Sequence, residues 1–176
     1  MTRPAVIRRA TFGAIALVGA VAAQIACCPT GFASEQYALN GIFVVVSDGE
    51  WARVRQKYSD VPTVHSTWTI SSTCTAPNAC EGVVVSDQGW TAPLRKDSEA
   101  FSVEHVIPDW QRCPDGTAYP GTQLFRFWRV DDRGVVDLSN TSSILTGEDK
   151  TLGVSGACGV SDWLVVRMPL SMRRAD

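Results

Sequence analysis

An all-β fold, a single antiparallel β-barrel or sandwich of about seven to nine strands tied by two disulfides, is what the sequence predicts. Three observations carry the prediction. Short runs of β-branched and aromatic residues recur along the chain, each bounded by Gly, Pro, Asp or Ser. Helical periodicity is nearly absent. Beyond the first 33 residues the cysteines number four, an even set.

Taken in order, residues 42–46 are β-branched and aromatic and end at Ser47-Asp48-Gly49. Residues 50–58 form the one stretch that reads as a short helix. Residues 64–72 alternate, with Val64, Ser66, Trp68 and Ile70 on one face and His65, Thr67, Thr69 and Ser71 on the other, the period of a half-buried strand. Residues 83–86 lead into Asp87-Gln88-Gly89. Phe101, Val103, His105 and Ile107 share a face, and Pro108 closes that run. Residues 124–130 are apolar or aromatic on both faces, as a central strand would be, and Asp131-Asp132-Arg133-Gly134 turns into residues 135–138. The connection 139–162 is rich in Gly, Ser and Thr and reads as a long loop pinned by Cys158. Residues 163–168 form the last strand, stopped by Pro169.

One echo occurs: Val44-Val45-Val46-Ser47-Asp48-Gly49-Glu50-Trp51 recurs as Val83-Val84-Val85-Ser86-Asp87-Gln88-Gly89-Trp90. Its plain meaning is two strand ends with similar turn chemistry. A duplicated binding element presenting Asp and Trp is the competing meaning.

The N-terminal segment reads as an export signal. Arg3, Arg8 and Arg9 precede an uncharged, Ala/Gly/Val-rich run from Ala10 to Ala26, and Gly31-Phe32-Ala33 supplies the small residues of a cleavage site, leaving Ser34 as the new N-terminus. A competing reading takes Gln24-Ile25-Ala26-Cys27 as a lipobox that tethers the chain through Cys27, although Gln24 stands where Leu is wanted. An uncleaved anchor and twin-arginine export fit less well, because Ala and Gly drive insertion weakly and Phe12 falls one residue late. Removing 33 residues leaves 143, one domain's worth, with 13 basic against 18 acidic side chains. An acidic domain without a Lys/Arg cluster argues against nucleic acid and anionic lipid as partners, and no transmembrane segment remains after processing.

Cleavage after Ala33 discards Cys27 and Cys28 and keeps Cys74, Cys80, Cys113 and Cys158. In an oxidising compartment these form two disulfides. Three pairings are open. Turn chemistry in Thr75-Ala76-Pro77-Asn78-Ala79 favours Cys74–Cys80, hence Cys113–Cys158, with loop-closure terms of about 2.4 and about 4 kcal/mol. A zinc site is the rival, but the spacings contain no C-x-x-C pair.

Motifs for catalysis are lacking. Gly153-Val154-Ser155-Gly156-Ala157 brushes against a serine-protease nucleophile motif, yet Val154 stands where an acid is needed. Asp131-Asp132 with Asp137, and Glu148-Asp149, read as solvated turns. No P-loop, H-E-x-x-H or dinucleotide fingerprint occurs, so neither cofactor nor metal is implied. Of the two histidines, His65 lies among hydroxyl side chains on a solvent face, whereas His105 shares its face with Phe101 and Val103 and lines a core or cavity. The six tryptophans supply the best functional signal. Trp68 and Trp128 lie within strands; Trp51, Trp90 and Trp110 lie beside turns, where the rim of a pocket would lie. Aromatic walls suit apolar or sugar-like ligands.

The runs Leu39-Asn40-Gly41, Ser47-Asp48-Gly49-Glu50-Trp51, Ser66-Thr67-Trp68-Thr69-Ile70-Ser71-Ser72-Thr73-Cys74, Ser86-Asp87-Gln88-Gly89-Trp90-Thr91-Ala92-Pro93-Leu94, Cys113-Pro114-Asp115-Gly116-Thr117, Phe125-Arg126-Phe127, Gly156-Ala157-Cys158-Gly159 and Met168-Pro169-Leu170 span nearly the whole mature chain. In these it resembles small exported proteins of mycobacteria and related actinobacteria. The resemblance implies a secreted or envelope-associated, disulfide-bonded protein, and no catalytic residue carries over. Leu39-Asn40-Gly41 before a strand is also similar to the start of a lipocalin barrel.

The functional expectation is a non-enzymatic envelope binding module that holds an apolar or glycolipid-like ligand between Trp51, Trp68, Trp90, Trp110 and His105. Two alternatives remain: a small envelope hydrolase using His105 or an acidic pair, and a protein-contact or host-facing surface.

Overall fold

The computed structural model describes residues 35–175; the expected export segment, with the expected cleavage after Ala33 and the alternative lipidation at Cys27, lies outside them. The strands are β1 (Gly41–Ser47), β2 (Arg53–Val54), β3 (Lys57–Tyr58), β4 (Val64–Ala76), β5 (Ala79–Ser86), β6 (Thr91–Lys96), β7 (Phe101–Arg112), β8 (Ala118–Arg129), β9 (Ile144–Gly153) and β10 (Val165–Arg174). β1 pairs with β4, each strand from β4 onward pairs antiparallel with the next, and β10 returns to β1. The result is a closed eight-stranded meander, which leaves no barrel edge unpaired. The β2–β3 hairpin continues from the end of β1 and pairs with β10 at Val166 and Arg167.

Alternation explains the barrel. Along β4 the buried residues are Ser66, Trp68, Ile70, Ser72 and Cys74, every second position, while their neighbours face solvent. The inward set from all strands makes a core of Phe43, Val45, Trp68, Leu94, Phe101, Phe127 and Leu145, among others. Trp68 is 1% exposed and meets Phe125 edge-on at 4.8 Å. One end is closed by the N-terminal segment. There Lys96 donates to the Pro77 carbonyl and lies over the Phe101 ring at 5.1 Å, and Arg129 donates to the carbonyls of Ser142 and Ala38. Cys74–Cys80 clips the β4–β5 turn, and Cys113–Cys158 joins the β7–β8 turn to the β9–β10 connection. Both pairings are those the turn chemistry favours.

Several local expectations are corrected. Residues 50–58 are not helical: β2 and β3 form a hairpin, because β10 runs past the end of β1 and its backbone needs a partner. Pro108 does not end β7. The strand bulges between Ile107 and Gln111, with Asp109 at φ 51°, and continues to Arg112. The region 139–162 contains all of β9. Its inward positions are Leu145, Gly147, Asp149, Thr151 and Gly153, mostly small or polar, so the strand carries no apolar alternation to read. Pro169 sits inside β10, where its carbonyl accepts from the Asp48 amide as β1 leaves the sheet. Residues 135–138 contribute a single bridge, Val136 to Val130. β6, with Pro93 facing outward, has no counterpart among the expected strands.

Candidate ligand site at the barrel mouth

Cross-strand register stacks the open end in layers. His105, Gln123, Thr151 and Val166 stand opposite one another on β7, β8, β9 and β10. The row beneath them is Val103, Phe125, Asp149 and Met168. On the other side, toward the solvent, Ile107 faces Gly121, which faces Gly153. A polar layer thus lies between the aromatic core and the mouth.

The β7 bulge re-aims Trp110, as bulges do. Its indole covers the glycine pair: a Cβ on Gly121 would stand 2.7 Å from the ring, and one on Gly153 would stand 3.1 Å away. Only glycine leaves room for that ring. Gln111 and the Cys113–Cys158 bridge follow directly and brace the same end, with Gln111 Nε2 donating to Cys158 Sγ at 3.5 Å.

Trp90 enters from the β5–β6 turn. Its ring stacks on His105, centroids 4.2 Å apart and planes within 14°, and meets Trp68 edge-on at 5.3 Å. Stacked and edge-on pairs of this kind contribute about 0.5–1.5 kcal/mol each beyond area burial. The Trp68 indole N–H is buried and has no hydrogen-bond partner among the described residues.

A hydrogen-bond chain fixes the imidazole. Gln123 Nε2 donates to both carboxylate oxygens of Asp149, at 2.8 and 2.9 Å. The amide's oxygen therefore faces His105, 2.8 Å from Nε2, and Nε2 must be the donor. Asp149 is 1% exposed. Burial pushes its carboxyl above the usual range, opposed by the hydrogen bonds from Gln123 and Ser47 and by the nearby imidazole.

Trp90, His105, Trp110, Gln123 and Thr151 line a half-open pocket of about 400 Å³, with Val61 and Gln88 among its remaining lining residues. Of the residues expected at a ligand site, the structure brings Trp90, Trp110 and His105 together. Trp68 supports Trp90 from below. Trp51 lies elsewhere, in a cleft on the outer wall. Gln123 and Thr151 escaped the sequence reading because their strand context was hidden, and Asp149, expected with Glu148 in a solvated turn, is instead a buried inward position of β9. The echo splits: Ser47 and Ser86 both face inward, but Trp90 packs on the core while Trp51 is 62% exposed.

The histidine's hydrogen-bond partner is an amide, not a serine hydroxyl or a carboxylate, which is poor geometry for general-base activation of a nucleophile. His65 is exposed, and Ser155 donates to the Ser161 carbonyl. Asp131 and Asp137 organise turns, accepting backbone amides of Arg133 and Val135 and of Ser139, Thr141 and Ser142. Among the described residues no group of three His, Cys, Asp or Glu side chains could hold a metal ion, and no helix is long and apolar enough to cross a membrane. On the outer wall the apolar side chains Ile42, Val44, Val83 and Val85 are interrupted by Thr67, Thr69 and Ser71 of β4.

Fold and site together define a small closed meander barrel, disulfide-braced, with one aromatic-walled mouth. The solved structure titled the monomer form of the M. tuberculosis PknI sensor domain is similar to it, with a TM-score of 0.52 and 15% sequence identity over 78% of this chain and 88% of that one. At that identity the likeness shows the fold. No family model and no curated protein matches the chain.

Proposed function

We propose that this chain is an exported, non-enzymatic binding module that holds the polar head and adjoining apolar part of a small amphipathic, glycolipid-like ligand in the barrel mouth. The observation that carries the reading is the mouth pocket. Two indole walls and a stacked imidazole offer apolar and sugar-compatible faces, while Gln123, Thr151 and the free ring nitrogen of His105 offer polar ones. A volume of about 400 Å³ fits a headgroup-sized ligand and falls at the lower end of ordinary small-molecule sites. The role named for the similar barrel, a sensor domain, accords with ligand capture rather than turnover. Export supplies the oxidising setting that both disulfides need, and the mature chain begins at Ser34.

Thermal-shift titration of the mature protein with fractionated mycobacterial envelope glycolipids tests the reading. A saturable rise in melting temperature with one fraction is expected, and no shift with any fraction overturns it. Intact-mass analysis of protein recovered from an actinobacterial host should give a free N-terminus at Ser34. A lipid adduct on Cys27 would replace the soluble product by a tethered one.

A further inference from the structure

Outside the barrel, the β2–β3 hairpin stands against the outer wall of β9 and β10 and closes a cleft of about 390 Å³. Its turn is costly: Arg55 and Gln56 have φ of 50° and 68°, where Asn or Gly would be at ease. Two large aromatic side chains are left in solvent there, Trp51 at 62% and Tyr58 at 65% exposure, meeting edge-on at 6.4 Å. Arg53 lies over the Tyr58 ring at 4.8 Å and donates to its hydroxyl at 2.8 Å, so this guanidinium is held in place.

Register then sets Arg53 directly opposite Arg167, and Arg167 opposite Lys150. Like charges placed opposite one another destabilise a sheet. Glu148 answers part of the charge, taking Arg167 Nη1 at 2.9 and 3.0 Å. The Arg167 Nε is buried and has no hydrogen-bond partner among the described residues. The cleft thus combines two guanidinium groups against one carboxylate with an exposed indole.

We propose that this cleft is a second, independent site, for an acidic saccharide: a carboxylate or phosphate lies between Arg53 and Arg167 while the sugar's C–H face lies on Trp51. Guanidinium forks match both anions, and an indole face suits a pyranose ring. An apolar ligand would leave the Arg53 charge without an anionic partner, and a plain anion would not need Trp51.

Calorimetric titration of the intact mature chain with trigalacturonate, with mannose 6-phosphate and with neutral maltotriose tests the assignment. At least one acidic probe should bind tenfold or more tightly than maltotriose and weaken as salt is raised. Trp51→Ala and Arg53→Gln, both at exposed positions, should each reduce that binding about tenfold with little change in melting temperature. Gly121→Val, at the barrel mouth, should leave it unchanged, which separates this site from the mouth pocket. Equal binding of maltotriose, no binding of either acidic probe at millimolar concentration, or binding that survives both cleft substitutions would overturn the proposal.

Discussion

His105 lies flat on Trp90, with ring centroids 4.2 Å apart and planes 14° from parallel. One ring comes from a strand and the other from a turn, so the stack ties the β5–β6 turn to the barrel wall and shapes the pocket at once. Trp90→Ala removes that wall together with the edge contact to Trp68. It should destabilise the fold by about 2–3 kcal/mol in chemical denaturation and weaken ligand binding at least tenfold. Trp90→Phe keeps a stacked ring and should stay within about 1.5 kcal/mol of the parent.

The Gly121–Gly153 pair makes a prediction with a different signature. A side chain at Gly121 collides with the Trp110 ring, 2.7 Å away for the first added carbon. Gly121→Val should displace Trp110 from the pocket wall, changing the near-ultraviolet dichroism of the protein while far-ultraviolet β-structure persists. The overpacking should lower stability by about 1–3 kcal/mol. Unchanged tryptophan signals would contradict the packing described for Trp110.

Asp149 gives the pH dependence. Its carboxyl is raised by burial, so the folded state favours the neutral acid. The stability it contributes is complete below the ordinary carboxylate range and is lost as pH rises through the raised value. Asp149→Asn stays neutral throughout. The melting temperature of the variant minus that of the parent should therefore grow as pH rises above the ordinary carboxylate value of about 4, whatever fixed offset the amide brings. Parallel curves would contradict it. Asp137 acts in the opposite sense. Hydrogen bonds from the Ser139 side chain and the Ser142, Ser139 and Thr141 amides hold it at about 2, so its contribution is lost only as pH falls toward that value.

The two disulfides should differ in weight. Replacing Cys113 and Cys158 by Ser opens a 45-residue separation and should cost about 4 kcal/mol, against about 2.4 for Cys74 and Cys80, whose separation is six. The long bridge braces the mouth beside Trp110, so its loss should also weaken binding. Loss of the short bridge at the closed end should not.

How much of this was legible in the sequence follows from where apolar alternation survives. β4 and the first half of β7 announce themselves through Trp68, Ile70, Phe101 and Val103, and the turn between Cys74 and Cys80 gave their pairing. β9 did not, because Asp149, Thr151 and Gly153 serve the polar network and the mouth, and Gly147 leaves room opposite Phe127 in place of an apolar side chain. The same substitution of function for packing hid Gln123 and Asp149 from the site. Trp90 and Trp110 were visible as aromatic residues beside turns and His105 as a histidine on the face of Phe101 and Val103, yet only the bulge after Ile107 brings Trp110 into their company. Trp51 was grouped with them because it too lies beside a turn. The hairpin that follows β1 carries it to the outer wall instead.

Mass spectrometry of organic extracts from the native protein and from Gly121→Val, purified side by side from an actinobacterial host, bears most directly on the barrel mouth as a ligand site. One amphipathic molecular class should accompany the native protein at near-stoichiometric amount and be depleted from the variant. Identical extracts from the two, or no co-purifying molecule in either, would contradict it.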